Sequence, residues 1–231
     1  MQKTIKIKAI IFDVDGLMAD TEYYHCKSIA KLMDLYGVKL SNSYLSDFVG
    51  VSTKDNFIKL KKDFHIPEKL EKLLLMREEI YLKTIETSKI KAFPGLKEIL
   101  GYAGKHRIKI AVGSSSLGPQ IDFVVPILLK TIGIKTPYRK YFDAVVTGSD
   151  VKHKKPAPDI YNLVAKKLGV LPKDCLVLED SVSGVKAAKA AKMFCIAVKN
   201  RYSKNHDLSR ADLTVSNLKT ALGRIRAAGE K

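Results

Sequence analysis

An unbroken apolar run, Ala9-Ile10-Ile11-Phe12, stops at two aspartates one residue apart, Asp13 and Asp15, with Gly16 directly behind them. A run without polar interruption predicts a strand over residues 6–13, buried on both faces as in a parallel sheet. Residues i and i+2 of an extended chain point to the same side. At about 3.3 Å per residue the two carboxylates stand roughly 6.5–7 Å apart along the chain. That spacing suits two groups serving one small substrate, one attacking and one attending to the leaving group. Gly16 lets the backbone turn sharply beyond them. Taken alone, the stretch fits an ordinary strand end with two solvated aspartates equally well, so the rest of the chain decides.

The period then becomes helical. Residues 22–36 carry Ile29, Leu32, Met33 and Tyr36 at helical spacing, with Gly37 placed to end the helix. A short helix is expected over 41–48, a second capped by Ser52 and reaching about residue 64, and a long one opened by Pro67 and reaching about 87. Beyond Phe93-Pro94-Gly95 the pattern changes. Helices over 95–102, 119–132, 157–168 and 184–191 alternate with buried-type strands over 108–113, 144–147, 175–179 and 194–198. A short strand at 213–215 and a helix at 218–227 complete the chain. This alternation predicts an α/β fold, a doubly wound parallel sheet with a Rossmann-like core. Right-handed crossovers put the C-terminal ends of all strands on one edge, where such sheets bind ligands. Residues 19–91 interrupt the alternation and contain no good strand. About 70 residues are too many for a loop in a compact domain. The expected organisation is a core of residues 1–18 and 92–231, with an all-helical cap domain over 19–91 inserted after the first strand. A domain inserted there can open and close over a site.

Of the 231 residues, 46% are apolar and 28% charged, as in a globular protein. No apolar run approaches the ~20 residues that span a bilayer. Met1-Gln2-Lys3-Thr4-Ile5-Lys6 lacks the pattern of a signal peptide, so a cytoplasmic location is expected. Cys26, Cys175 and Cys195 are isolated and read as reduced, mostly buried thiols. The net charge of +17 admits a nucleic-acid partner. However, the lysines are spread over nearly every expected helix, without the aromatic-interleaved basic motif of a nucleic-acid reader. They read as solvated surface, whose field favours small anionic substrates.

The other strand ends supply chemistry that complements the two aspartates. The strand at 108–113 ends in Gly113-Ser114-Ser115-Ser116, where a hydroxyl and successive backbone N–H groups can cradle an oxyanion or phosphate. Ser114 is the stronger candidate. Ser115, carried with it as phosphate-binding, and Ser116 also suit the cap of the following helix. A serine hydrolase would need Gly-x-Ser-x-Gly, and residues 113–117 lack the second glycine. Lys155 precedes Pro156 at a helix start, where it can neutralise the aspartates and hold a phosphate. The strand at 175–179 ends in Glu179-Asp180-Ser181. Two acids behind a buried run are costly to ionise without a cation. Asp13, Asp15, Glu179 and Asp180 together offer the hard oxygen ligands of Mg²⁺. Ser181 and Ser183 read as caps of the helix near Gly184. The inventory is what phosphoryl transfer needs: a nucleophilic carboxylate, an acid/base carboxylate, a divalent cation, a lysine and a hydroxyl.

Four motifs in order, Asp13-x-Asp15-Gly16-x-x-x-Asp20-Thr21, Ser114, Lys155-Pro156 and Glu179-Asp180-Ser181, resemble the haloacid dehalogenase superfamily. With a helical cap after the first motif, the layout is similar to its β-phosphoglucomutase-like phosphatase subfamily. The resemblance implies Asp13 as nucleophile, Asp15 as general acid/base, and Ser114 and Lys155 on the phosphoryl group. It implies Mg²⁺ held by Asp13, the Asp15 backbone carbonyl and Asp180, with Glu179 beside them, and a hinge shaped by Asp20 and Thr21. The dehalogenase members lack the acid/base aspartate and do without Mg²⁺, whereas this chain has the full acidic set.

In the cap, Gly50-Val51-Ser52 and His25 resemble the β-phosphoglucomutases, which place an arginine after Gly-Val-Ser to hold a distal phosphate. Thr53 stands there instead and cannot make a bidentate grip. Arg77 matches a basic position that members use near the substrate, while the stretch 118–141 is longer than usual for the subfamily. The expected function is therefore a Mg²⁺-dependent phosphatase of a small phosphomonoester, such as a sugar phosphate, acting through an aspartyl-phosphate. A hexose-phosphate mutase is the alternative. A basic nucleic-acid-binding protein on a retired enzyme fold is a third possibility, opposed by the clustered carboxylates. The expected partner is a small phosphorylated metabolite, with no membrane and no nucleic acid, and the expected state is a monomer.

Overall fold

The computed structural model describes residues 6–49, 51–203 and 206–229. Gly50 of the Gly-Val-Ser stretch lies outside the described residues. In chain order, strand β1 (Ala9–Phe12) is followed by helices α1 (Glu22–Asp34), α2 (Asn42–Ser46), α3 (Thr53–Phe64), α4 (Leu70–Glu86) and α5 (Leu96–Lys105). Then come β2 (Lys109–Gly113), α6 (Gly118–Thr131), α7 (Tyr138–Tyr141), β3 (Ala144–Val146), α8 (Asp159–Leu168) and β4 (Cys175–Glu179). The chain continues with α9 (Val182–Ala190), β5 (Phe194–Val198), β6 (Leu213–Val215) and α10 (Leu218–Gly229). It divides into two compact units, Met1–Asp20 with Lys91–Lys231, and Thr21–Ile90.

The first unit is an α/β fold on six parallel strands in the order β3-β2-β1-β4-β5-β6. All four residues of β1 and all five of β4 are buried, as expected of strands covered on both faces. From β1 the chain steps outward to β2 and β3, then returns to build β4, β5 and β6 on the other side. Such a reversal opens a crevice at the C-terminal edge, next to β1. The register sets what meets there. Phe12 pairs with Val112 on one side and Leu178 on the other, so Asp13 comes level with Gly113 and Glu179.

The layer covering this sheet includes Ile160, Tyr161, Val164, Val185 and Ala188, packed with Ile11, Val177 and Cys195. The long stretch 118–141 is α6, with Ile121, Val124, Val125, Leu128 and Leu129 buried, followed by the unexpected single turn α7. Tyr138 and Arg139 of α7 both donate to Asp122 of α6. Helix α5 runs three residues past its expected end. Where the chain leaves and re-enters this unit, Ala19 and Ala92 form an antiparallel bridge. Asp20 N donates to Lys91 O (3.1 Å) and Phe93 N to Met18 O (3.0 Å). The outgoing and returning chains are thus tied together within the sheet unit.

The second unit contains α1 to α4 around its own core of Ile29, Leu32, Met33, Phe48, Phe57, Leu60 and Leu73. Ser52 caps α3 as expected, its hydroxyl accepting from Asp55 N (3.1 Å). Pro67 precedes α4 rather than opening it, because Lys69 is the N-cap. Among the described residues, no helix is long and apolar enough to cross a membrane. Cys175 and Cys195 are buried and Cys26 half-buried, all three as free thiols.

Candidate active site

Asp13 follows β1 directly, and its backbone N–H continues the ladder by donating to Leu178 O (3.1 Å). Asp13 is 8% exposed, Lys155 7%, Glu179 0% and Asp180 4%, so four charged groups share one buried edge. The Lys155 ammonium lies 2.6 Å from Asp13 Oδ1 and 2.6 Å from Glu179 Oε1. It also sits over the Tyr161 ring, 4.8 Å from the centroid. Lys155 enters from the turn before α8, across a cis Lys155–Pro156 peptide bond.

Glu179 is held on every side. Oε1 accepts from Lys155 and from the Tyr161 hydroxyl (2.7 Å). Oε2 accepts from the backbone N–H groups of Asp180 (3.0 Å) and Ser181 (3.1 Å) and from Ser181 Oγ (2.9 Å). The carboxylate is folded back onto the start of α9, where partial positive charge favours it. Only glycine permits this, because a Cβ on Gly184 would collide with the carboxylate. Ser181 is the N-cap of α9, its Oγ accepting from Gly184 N (3.0 Å). Ser183 lies within the first turn instead of capping it.

The charges explain the titration. Burial pushes the Asp13 carboxyl well above the ordinary carboxylate range, against the pull of Lys155, and Glu179 and Asp15 add to the rise. Glu179 carries the same burial penalty, but Lys155 and the donated hydrogen bonds hold its carboxyl below the usual range. Burial works against the Lys155 ammonium as well, yet Asp13 and Glu179 raise it above an ordinary lysine. Burial and Glu179 keep the Tyr161 phenol protonated, and so a donor. One ammonium among these acids leaves a deficit of positive charge. A divalent cation fits that deficit. Asp13, Glu179 and Asp180 each offer a carboxylate oxygen, all within 4.8 Å of one another. Oxygens around Mg²⁺ at 2.0–2.1 Å stand about 2.9–4.2 Å apart, so small side-chain rotations suffice. Glu179 is the most fully engaged of the three.

Asp15 is expected to offer the cation its backbone carbonyl, which leaves its carboxylate for other work. Its side chain is outside that group of three, and its Oδ2 accepts from Ser116 Oγ (2.6 Å). The sequence suggests Ser116 only as a helix cap, but the N-cap of α6 is Leu117 and the hydroxyl serves Asp15. Ser114 is buried at the end of β2, where its N–H donates to Val146 O (3.0 Å) and its Oγ accepts from Ser116 N (3.0 Å). Ser115 follows, its Oγ buried without a hydrogen-bond partner among the described residues.

Three participants are not singled out by the sequence: Tyr161, Ser116 and Asn200. Asn200 follows β5, and its amide donates to Asp180 Oδ2 (2.7 Å) and to Gly16 O (2.8 Å). Tyr161 falls within the helix expected over 157–168 without a mark of its own, and Ser116 reads as a cap. Asn200 carries only the weak signal of a polar residue just beyond a buried strand.

The remaining candidates lie in the helical unit. Arg77 on α4 is buried and contacts His25 Nδ1 of α1. It lies over the Tyr81 ring, 4.8 Å from the centroid, and His25 stacks on the same ring with centroids 4.3 Å apart. Thr53 is the first residue of α3. In the sheet unit, Asp20 accepts from Arg201 through both oxygens, at 3.0 and 2.8 Å.

Residues 10–198 match the family model of the haloacid dehalogenase-like hydrolases. A phosphorylated carbohydrates phosphatase of Thermotoga maritima is 33% identical over 185 residues, covering 80% of this chain and 82% of that protein. The crystal structure of a mutant of CbbY from Rhodobacter sphaeroides, in complex with xylulose-(1,5)bisphosphate, aligns with a TM-score of 0.79 at 26% identity. The alignment covers 92% of this chain and 95% of the other. The β-phosphoglucomutase of Clostridium difficile aligns with a TM-score of 0.77 at 25% identity, covering 97% of both chains. The chain belongs to the haloacid dehalogenase-like hydrolases, in their β-phosphoglucomutase-like branch.

Proposed function

We propose that this hydrolase is a Mg²⁺-dependent phosphatase of a small phosphomonoester, a sugar phosphate, working through an aspartyl-phosphate on Asp13. The observation that carries the reading is the Lys155 ammonium shared between Asp13 and Glu179 at the ends of two adjacent strands. Asp13 attacks phosphorus, forming a bond from its carboxylate oxygen as the bond to the leaving oxygen breaks. Asp15, oriented by Ser116, gives its proton to the leaving oxygen and then takes one from the water that cleaves the acyl phosphate. Lys155 faces the charge on the transferring group, and the Ser114 and Ser115 region supplies donors to its oxygens. Asp13, Asp180 and the Asp15 carbonyl would hold Mg²⁺, with Glu179 beside them. Bound there, the cation supplies Lewis-acid neutralisation of the phosphoryl oxygens.

Residues 1–18 and 92–231 then form the phosphotransferase core, and 19–91 the substrate-selecting cap. In that cap, His25, Thr53 and Arg77 bear on the choice of substrate. The sugar-phosphate class draws support from the relatives named for phosphorylated carbohydrates and complexed with a sugar bisphosphate. The sheet unit, with 29 basic and 14 acidic side chains, carries +15 of the net +17, which favours encounter with small anions. Thr53 favours hydrolysis over mutase chemistry, because it lacks the charge and the bidentate grip with which an arginine holds a second phosphate.

The test is a panel of phosphomonoesters with and without Mg²⁺, including β-glucose 1-phosphate primed with the bisphosphate. Release of inorganic phosphate that requires Mg²⁺ is expected. Conversion to the 6-phosphate outpacing phosphate release would make the chain a mutase. No phosphate release from any ester would sink the proposal.

A further inference from the structure

Asn200 lies in the loop after β5, which no sequence motif marks. Its side-chain amide makes four hydrogen bonds that tie three strand ends together. On one side Nδ2 donates to Asp180 Oδ2 (2.7 Å), just beyond β4, and to Gly16 O (2.8 Å), just beyond β1. On the other side Oδ1 accepts from the backbone N–H groups of Tyr202 (2.7 Å) and Ser203 (2.9 Å). The Asn200 N–H in turn donates to Ser203 Oγ (2.9 Å). An amide held at both ends has one orientation, so the direction of its Nδ2 protons is set by the loop.

The neighbourhood is tight enough for that direction to matter. Gly16 has φ +82°, and a Cβ there would run into Asp180 Oδ2 and stand 3.0 Å from Asn200 Nδ2. Asp180, the backbone of the Asp15–Gly16 turn and the Asn200 amide are therefore in direct contact. The next residue, Arg201, clamps Asp20 with a two-oxygen ion pair and fixes the same loop from its other side.

We infer that Asn200 is a positioning residue for the cation site: by holding Asp180 Oδ2 and the Gly16 carbonyl, it sets the rotamer of Asp180 and its distance from the Asp15–Gly16 turn. This rests on the Mg²⁺ reading of the site. Partners of metal-ligating carboxylates typically tune metal affinity by 10–100-fold.

The test separates this role from support of the loop. In Asn200→Ser the hydroxyl can still accept from the turn N–H groups, but it is too short to reach Asp180. Asn200→Ala removes both functions. Each variant and the parent are titrated with MgCl₂ by calorimetry and melted without Mg²⁺. The expected result is a Mg²⁺ Kd raised about 10–100-fold in both variants. Without Mg²⁺ both variants should melt below the parent, because a hydrogen bond to a buried carboxylate is lost, and Asn200→Ala, which also loses the turn, should melt below Asn200→Ser. Parental Mg²⁺ affinity in both variants overturns the inference and leaves the Mg²⁺ reading intact. Absence of binding by the parent itself overturns both. Loss of the fold in both variants makes the amide purely structural and also overturns the inference.

Discussion

Lys155 and Glu179 form a buried ion pair, 2.6 Å from Nζ to Oε1, in which the carboxylate is the fixed partner and the ammonium the aimed one. Glu179 accepts from Tyr161, from two backbone N–H groups and from Ser181 in addition to Lys155. Those four donors hold it independently of the lysine. Lys155 then has one place to go, beside Asp13.

Tyr161→Phe tests that order of support. The change removes one donor to a buried carboxylate and leaves the ring under Lys155. A hydrogen bond to a charged group contributes about 1.5–3 kcal/mol, and a loss of that size is expected in urea unfolding. Turnover should fall with it, because Lys155 is less firmly aimed. Unchanged stability would mean that the other donors already suffice.

Ser116→Ala tests the orientation of Asp15. The hydroxyl donates to Asp15 Oδ2 at 2.6 Å, so the substitution removes the donor that aims the carboxylate. If Asp15 is the acid/base group as proposed, its loss would cost about 10²–10⁴-fold. Loss of its orientation should cost less, about tenfold in kcat, with KM nearly unchanged. Steady-state kinetics on the substrate found in the panel decide it, and a raised KM with full kcat would place Ser116 in binding instead.

Magnesium should stabilise the fold, and more so at neutral than at acid pH. The Asp13 carboxyl is raised by folding, so its contribution in the metal-free protein is present at low pH and lost as pH rises through the raised value. Glu179 is lowered, so its contribution is present above the ordinary carboxylate value and lost as pH falls through the lowered one. Mg²⁺ competes with the proton on Asp13. At 100 times its Kd the cation adds about 2.7 kcal/mol, and that gain should shrink between pH 8 and pH 5. Melting curves with and without MgCl₂ across this range check the sign, and a gain that grows toward acid would contradict it.

Particular residues show how far the sequence could be read. The bounds of β4, β5 and β6 were legible because each is a compact apolar or β-branched run between turn residues. Asp13, Lys155, Glu179 and Asp180 were legible because chemistry at the C-terminal ends of parallel strands falls on one edge. Asn200, Ser116 and Tyr161 were not. Their roles depend on which loop comes back beside which, and spacing along the chain does not encode that. Ser116 shows the limit most clearly. Its neighbours in sequence favour a helix cap, while the carboxylate it serves, Asp15, is 101 residues away in the chain. The single turn α7 escaped for a related reason, since four residues carry too little periodicity to read.

The proposed nucleophile carries the mechanism, and Asp13→Asn tests it most directly. The substitution keeps the size of the side chain and removes the carboxylate proposed to attack phosphorus. Phosphate release from the panel substrate in saturating Mg²⁺ should fall to background, with a melting transition that shows the protein folded. Phosphate release at the parental rate by folded Asp13→Asn protein would contradict the account.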